Sequence, residues 1–440
     1  MADTNNQTTE LEALAKQKFS EGWSLYQQGN LTGATKCYLE AAAIKPGWYE
    51  PQYHLAVCAQ HKRDYVTAIG HYLGAIALKP DVPILNYHAA KCLKDSGHLA
   101  AATALYAKAL HLQPDFADAK YSLGLLEFLK GNWQGGWKGY GLRLEGSDRA
   151  DKEYRTETAG LAKWRGEAIP KDSKLLVTCE QGMGDVLMCF RFVPLLKQLF
   201  GNVGFTVHAP LVELCQSNVP EGVEVIRWVK APAPIEYYTH TIHLMDLPAA
   251  FGATPENIPN SPYIKAASTN NRELAEVLNG LSTSQKIKIG VVWQGGKVSV
   301  ANGRDMPFEQ MLPMLQDPYL NERVQWVSLQ KDIKVDGLPY FLNAMLPVQN
   351  FADTAALVEK LDLVISVDTA VAHLAGAMGK PVWLLNRFES EWRWMHGKST
   401  TPWYPSMRIF NEPRPGEWPS VIREISQTLK MNLSNVRGDQ

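Results

Sequence analysis

The stretch VISVDTAVAHLAGAMGKPVW (364–383) decides the fold of the larger part of this chain. A β-branched apolar run ends in Asp368-Thr369, a small-residue helical pattern follows, and Gly379-Lys380-Pro381 stops it before a second apolar run opens at Val382. Strand, turn, helix and strand in that order make a parallel βαβ unit. Thr369 and His373 are four apart, so they share one face of the first helical turn. A hydroxyl, an imidazole and free helical N–H groups at one spot would suit a diphosphate. The same residues also fit an ordinary N-cap at Thr369 and a core histidine at His373 bonded to a backbone carbonyl. The residues alone leave both readings open.

Outward from this unit, KIGVVWQGG (288–296), VQWVSLQ (324–330), LDLVISVDT (361–369) and KPVWLLN (380–386) read as one series of strands alternating with helices. A similar series precedes it: KLLVTC (174–179), VGFTVHA and VEVIRWV, with VLMCFRFVPLLKQLF as an amphipathic helix. A Pro/Asn/Ser-rich stretch from about Gly252 to Gln285 separates the two. Two Rossmann-like halves of this kind enclose a cleft. In the first half the turn EQGMGD (180–185) leaves a strand and opens a helix, so Gly182 and Gly184 let the backbone of the Gln181 loop come close to a ligand. The turn has neither the Gly-Lys-Ser/Thr of a P-loop nor the third glycine of a dinucleotide fingerprint. Asp185 reads equally as a helix-start carboxylate or as a catalytic base.

The first third of the chain repeats itself. Pro46, Pro80 and Pro114 are 34 residues apart, and Ala34/Ala68/Ala102, Tyr38/Tyr72/Tyr106 and Ala41/Ala75/Ala109 keep the same step. Small residues let paired helices approach, the aromatic fills the space between successive pairs, and the proline stops the second helix. A fourth unit keeps Leu123 and Gly124 and is expected to degrade after Trp133 into a capping repeat. Phe19, Tyr53, Tyr87 and Tyr121 recur at the fifth position, with His54 and His88 beside the second and third. This stripe either lines a groove for an extended peptide or packs between repeats. Between the repeats and the first strand, 146–173 is charged and aperiodic, and is expected to be a linker partly docked through Trp164.

The 440 residues, at roughly 150 per domain, suit three folding units. With 44 basic against 45 acidic side chains, the chain lacks the basic excess of a general nucleic-acid or anionic-membrane binder. The six cysteines form no C-x-x-C pair and read as buried thiols of a reducing compartment. MADTNNQTTELEAL has no basic start followed by an apolar run, and no stretch is long enough for a membrane helix. A cytoplasmic protein is the expectation.

The period of 34, the small residue at the eighth position (Gly22, Ala56, Ala90, Gly124) and the Ala/Tyr/Ala/Pro spacing resemble tetratricopeptide repeats. GMGDV after a strand, then Arg304-x-x-Pro307, then SVDTAVAHLAGAMGKPV resemble the bacterial heptosyltransferase-like (family 9-like) glycosyltransferases; EQGMGD and WRW...PWYPSMRIF resemble their repeat-fused branch. The resemblance implies an α-solenoid (11–145), the linker (146–173) and a two-lobed GT-B domain, with an acceptor-side lobe (174–265) and a nucleotide-sugar lobe (286–440).

Position by position, it implies that Asp185 is the base that deprotonates an acceptor hydroxyl. Gln181, Gly182 and Gly184 form the acceptor-side loop, while Arg304, Gln294, Asp368, Thr369 and His373 bind the donor. It further implies an inverting reaction with no metal and no cofactor beyond the nucleotide-sugar co-substrate; no D-x-D pair is present to hold Mg²⁺. Asp305, Ala370 and Asn411-Glu412 stand where the family usually has serine, glycine and Arg-Gln. These departures bear on donor choice or on reduced activity. Trp392, Arg393 and Trp394 are either a stacking platform or packing residues. By analogy with two-lobed transferases, the terminal helix carrying Trp418, Val421, Ile422, Ile425 and Leu429 is expected to cross back onto the first lobe.

The leading expectation is a glycosyltransferase whose repeats recruit a protein acceptor. The alternatives are transfer to lipopolysaccharide or a surface glycan, and a non-catalytic repeat adaptor with a vestigial transferase lobe.

Overall fold

In the computed structural model the 34-residue period folds as paired antiparallel helices: α1 (Ala2–Gln27) with α2 (Leu31–Ile44), α3 (Tyr49–His61) with α4 (Tyr65–Leu78), α5 (Pro83–Asp95) with α6 (Leu99–Leu112), and α7 (Ala117–Leu129) with α8 (Trp133–Tyr140). The structure describes residues 2–145, 160–228, 235–296, 303–338 and 340–435, so 146–159 of the linker lie outside the described residues. The chain divides into two units, Met1–Ser147 and Asp148–Gln440.

Every member of the Ala34, Tyr38 and Ala41 columns is fully buried, as close helix packing around a shared tyrosine requires. The turn inside each pair adds a column: Gly29, Arg63, Gly97 and Gly131 all have left-handed backbone, with φ between 58° and 84°. The following residue caps the next helix where it carries a suitable oxygen, with Asn30, Asp64 and Asn132 accepting from Gly33, Thr67 and Gly135 N–H. The fourth unit shortens after Trp133: its second helix has 8 residues where those of the first three units have 14. Gly136 and Tyr140 continue the alanine and tyrosine columns and are buried. The helix ends at Tyr140, and the next column position is Arg143, not alanine.

The second unit holds two parallel sheets. The first has the order β1-β5-β2-β3-β4, with β1 (Ala162–Lys163), β2 (Lys174–Thr178), β3 (Asn202–Val207), β4 (Val223–Arg227) and β5 (His240–His243). β1 lies within the stretch assigned to the linker, and Trp164 beside it packs on Phe200 and Phe251 at 5.1 and 6.0 Å. The second sheet has the order β11-β10-β9-β6-β7-β8, with β6 (Ile287–Val292), β7 (Val324–Ser328), β8 (Phe341–Asn343), β9 (Leu363–Val367), β10 (Val382–Asn386) and β11 (Met407–Asn411). The expected single helix over VLMCFRFVPLLKQLF is broken into α9 (Met183–Cys189), a 3₁₀ turn at Phe190–Phe192 and a short helix from Val193. Pro194 starts that last piece, where its missing N–H costs no hydrogen bond.

Between the sheets the Pro/Asn/Ser-rich stretch forms α10 (Arg272–Thr283), burying Leu274 and Leu281. Thr269 and Asn271 anchor it by donating to Asp353 Oδ1 and Pro347 O at 2.8 and 2.7 Å. Asp353 lies on α11 (Phe351–Glu359), and β9 feeds α12 (Ala370–Ala377). The terminal helix α13 (Trp418–Asn435) corrects the analogy: Trp418, Val421, Ile422, Ile425, Leu429 and Leu433 join Met311, Met314, Leu320, Ile365 and Val367 in the core of the second lobe. The sheet residues that meet the helix there are apolar, and the helix stripe matches them. Five cysteines are buried and Cys37 is half-buried, and none forms a disulfide. Among the described residues no helix is long and apolar enough to cross a membrane.

Candidate functional site

Each sheet has one point where the strand order reverses: β2 next to β5 in the first, β6 next to β9 in the second. Open parallel sheets bind ligands in the crevice beyond such points. Both motifs start there. The EQGMGD turn leaves β2, where Thr178 Oγ1 bonds His243 Nδ1 at the end of β5 at 2.9 Å. The Asp368-Thr369 turn leaves β9, beside the Trp293-Gln294 turn that follows β6.

The helices opened by the two motifs, α9 and α12, pack on each other across the lobes. Gly184 permits this approach: a Cβ there would stand 2.8 Å from His373 Cδ2 and 3.5 Å from Ala370 Cα. Gln181 precedes it with left-handed backbone, φ 62°, and its carbonyl bonds His208 Nε2 at 2.9 Å. Asp185 caps its own helix, accepting from Gly182 N–H at 3.1 Å through Oδ2. Its other oxygen accepts from Arg393 Nη2 of the second lobe. Helix-start carboxylate and cleft carboxylate are thus the same group.

On the second lobe, Thr369 occupies the N-cap position of α12, but its side chain does not cap the helix; its hydroxyl pairs with Ser366 Oγ at 2.9 Å. His373 is buried, with Nδ1 on Tyr404 OH at 2.9 Å, Nε2 3.7 Å from Asp368 Oδ1, and its ring stacked on Trp394 at 5.2 Å. Hydroxyl and imidazole therefore do not face one open spot, and the partner of His373 is a tyrosine instead of a carbonyl. Burial keeps Tyr404 protonated well above its ordinary range; its hydroxyl and His373 Nδ1 share a hydrogen bond, and Nε2 is turned toward Asp368. Burial alone would raise the Asp368 carboxyl. The nearby His373, Arg304 and Arg393 outweigh it and hold the group well below the usual carboxylate range.

Arg304 Nη2 and Arg387 Nη2 both donate to Glu391 Oε1 at 2.8 Å, and Arg393 Nη1 lies 3.7 Å from Oε2. Burial pushes Glu391 up, but Arg387, Arg304 and Arg393 together bring it below its ordinary value. The loop that carries Arg387, Glu391 and Arg393 is held by Met395, at φ 57° and ψ 172° with its carbonyl accepting from Ser390 Oγ at 2.8 Å. Such backbone is strained for a non-glycine residue and persists only where the surroundings fix it. The Asn411-Glu412 departure braces the same loop: Asn411 Oδ1 accepts from Asn386 at 2.8 Å, and Glu412 Oε2 accepts from Phe388 N–H at 2.9 Å. Asp305 Oδ1 accepts from Gly295 N–H at 2.8 Å. Gln294 and Asp305, with Phe308 and Lys334, line a cavity of about 530 Å³ next to these groups in sequence, a size that suits a nucleoside.

The structure brings Asp185, Arg304, Asp368, Thr369 and His373 to the facing ends of the two sheets, and places Gln294 on the cavity wall. Trp392 and Trp394 are buried, so they pack and offer no stacking platform. Sequence reasoning missed the ion-pairing of Arg387, Glu391 and Arg393, and it missed Arg191. The latter is buried and donates to Met188 O, Pro259 O, Trp403 O and Tyr263 OH at 2.7–3.0 Å, against the rings of Tyr263, Trp403 and Tyr404. A charge inside the apolar run MCFRFVPLL was the available signal.

In the repeats, Phe19 packs on Tyr38 and His54 at 5.5 and 5.2 Å, Tyr53 on Tyr72 and His88 at 6.0 and 5.4 Å, Tyr87 on Tyr106 at 6.0 Å and Tyr121 on Tyr140 at 5.8 Å. All four stripe rings are half-buried. Each ring packs on the tyrosine of its own helix pair, and Phe19 and Tyr53 also reach the histidine of the next repeat.

Residues 19–83 and 88–151 match the tetratricopeptide repeat profile, and 333–415 match that of glycosyltransferase family 9 (heptosyltransferase). Protein FlbA of Caulobacter vibrioides is 26% identical over 318 residues, covering 67% of this chain and 52% of its own length. An Escherichia coli protein named "Putative lipopolysaccharide heptosyltransferase 4" is 32% identical over 109 residues, 24% of this chain and 27% of that protein. The chain therefore spans about half or less of the curated relatives it matches. The crystal structure of MamA aligns over 30% of this chain and 77% of its own, at 21% identity and a TM-score of 0.29. The chain combines tetratricopeptide repeats with a glycosyltransferase family 9 segment.

Proposed function

We propose that this chain is a glycosyltransferase that moves a sugar from a nucleoside-diphosphate sugar, held by the second lobe, to an acceptor hydroxyl presented by the first. One observation carries the reading: Arg393 links Asp185 of the EQGMGD turn to the Arg304/Arg387/Glu391 group, so an acceptor-side carboxylate and donor-side cations face each other across one cleft.

The chemistry follows from that pairing. The acceptor oxygen attacks the anomeric carbon, its proton passes to Asp185, and the bond from that carbon to the diphosphate oxygen breaks. The leaving diphosphate takes the electron pair and the negative charge. Arg304, the uncapped N–H groups of α12 and Thr369 receive that charge, where preorganised donors are worth most. Bonds to Arg393 and Gly182 occupy one site on each Asp185 oxygen; a carboxylate has about four such sites, so one on each remains for the acceptor. Attack from the face opposite the diphosphate inverts the anomeric centre. The reaction needs neither a metal nor a cofactor besides the nucleotide sugar, since the arginines do the work of a cation. His373 acts from behind Asp368, orienting it instead of touching phosphate.

The repeats recruit the acceptor, which we assign as a protein: an array with an aromatic stripe gives an extended polypeptide a high effective concentration at the transferase. The named activity of the Escherichia coli relative favours a second reading, in which the acceptor is lipopolysaccharide. Removing residues 1–145 separates them. Loss of transfer to a protein with transfer to simple sugars retained supports the first, and unchanged transfer to every acceptor supports the second. The test of the activity itself is release of nucleoside diphosphate from a panel of nucleotide sugars. Release by the wild type that disappears in Asp185→Asn supports the proposal, and equal turnover in that variant removes Asp185 as the base.

A further inference from the structure

The cleft contains a carboxylate that sugar transfer does not call for. Glu391 takes the Nη2 donors of both Arg304 and Arg387 on one oxygen, each at 2.8 Å, and faces Arg393 Nη1 at 3.7 Å with the other. Three guanidinium groups converging on one planar anion is the arrangement an arginine cluster adopts around a phosphate. Arg304 also keeps a buried Nε without a hydrogen-bond partner, so its donor set is not filled by Glu391. Asp368 lies near enough for its charge to act on Arg304 and on Glu391 alike. The N-terminus of α12, which Thr369 leaves uncapped by its side chain, begins directly after Asp368.

We propose that Glu391 is the internal counter-anion of the donor site: it holds Arg304, Arg387 and Arg393 as a preformed anion cradle, and the donor diphosphate displaces it. The inference rests on the donor-site reading above and adds a positioning residue to it. Physically, three arginines packed together without a partner would repel one another and pay a large desolvation cost, and Glu391 offsets both. A diphosphate carries more negative charge than one carboxylate and more acceptor oxygens, so exchange is favourable once it arrives. Until then the cradle stays assembled, and a weaker monoanion cannot compete. Arg393 takes part in the exchange while bonded to Asp185, so the arrival of the diphosphate is felt at the acceptor carboxylate.

The test is calorimetric titration of the full chain with inorganic pyrophosphate, comparing wild type with Glu391→Gln and Glu391→Asp. Gln keeps the size and removes the charge. The expected result is pyrophosphate affinity raised by on the order of tenfold or more, because a like charge within a few ångströms of the ligand is gone. Asp keeps the charge and withdraws it by one methylene, so it tightens binding less; it also serves as the reporter if Glu391→Gln does not fold. A folded variant that binds pyrophosphate equally or more weakly, with wild-type binding intact, overturns the counter-anion role and leaves the donor site standing, because a purely structural glutamate gives that result. Absence of binding in wild type and both variants overturns the donor site and this inference together.

Discussion

Arg393, in the loop after β10, donates to Asp185, in the first turn of α9, and so ties the second lobe to the first at the point where their two motifs meet. The remaining oxygen of Asp185 caps its own helix, so the carboxylate is fixed from both sides where an acceptor hydroxyl would be deprotonated. Asp185→Asn keeps both shape and cap. It should lower turnover by roughly 10²–10⁴ while leaving pyrophosphate binding within a few-fold of wild type, since proton transfer in the transition state is what it removes. Single-turnover release of nucleoside diphosphate, set beside calorimetry on the same variant, reads both quantities.

Gly184→Ala probes the approach of α9 to α12. The added methyl would meet His373 Cδ2 at 2.8 Å, and His373 cannot retreat, being stacked on Trp394 and bonded to Tyr404. Overpacking of this kind costs about 1–3 kcal/mol. The expected outcome is a lower melting temperature together with weaker pyrophosphate binding, because the Asp368-His373 contact must shift. A variant with wild-type melting and binding would show that the lobes yield freely here.

Arg63 is the odd member of the left-handed turn column, where its counterparts are Gly29, Gly97 and Gly131. A non-glycine residue in this region costs about 1–2 kcal/mol, partly offset by the greater chain entropy of glycine. Arg63→Gly should therefore stabilise the repeats by about 1 kcal/mol in urea unfolding followed by helical circular dichroism. Destabilisation would mean that contacts of the Arg63 side chain outweigh the backbone strain.

His54 sets a pH dependence in the repeats. Its ring lies among Phe19, Trp23, Tyr38 and Tyr53 at 5.0–5.3 Å, and its Nδ1 is buried without a hydrogen-bond partner. Burial lowers its pKa from 6.5 to about 4. The unfolded chain takes up a proton near 6.5 and the folded array only near 4, so stability is full above the higher value and falls as pH drops toward the lower one. His54→Phe should flatten that decline in melting curves recorded across the interval. An unchanged slope would place the titrating group elsewhere.

Much of this was legible in the sequence because it is periodic or local. The tyrosine and alanine columns are all buried where the 34-residue step puts them, and both motifs lie at the strand-order reversals. The extension of the columns to Gly136 and Tyr140 escaped notice because α8 carries three glycines in eight residues, a poor helix composition. The Glu391 cradle was hidden for another reason: Arg304 and Arg387 are 83 residues apart, and no local pattern encodes an ion pair across that distance. Arg393 was read through its tryptophan neighbours, whose burial made them packing residues. The destination of α13 depended on which face of which sheet was uncovered, which its own stripe cannot tell.

The most direct measurement is intact-mass spectrometry of candidate acceptor proteins and glycans after incubation with the full chain and a panel of nucleotide sugars. The account predicts a mass increase equal to one glycosyl residue for at least one donor, dependent on the enzyme and absent with Asp185→Asn. No added mass on any acceptor, together with no calorimetric binding of nucleoside diphosphates, would contradict it and leave the chain a repeat adaptor on a transferase fold.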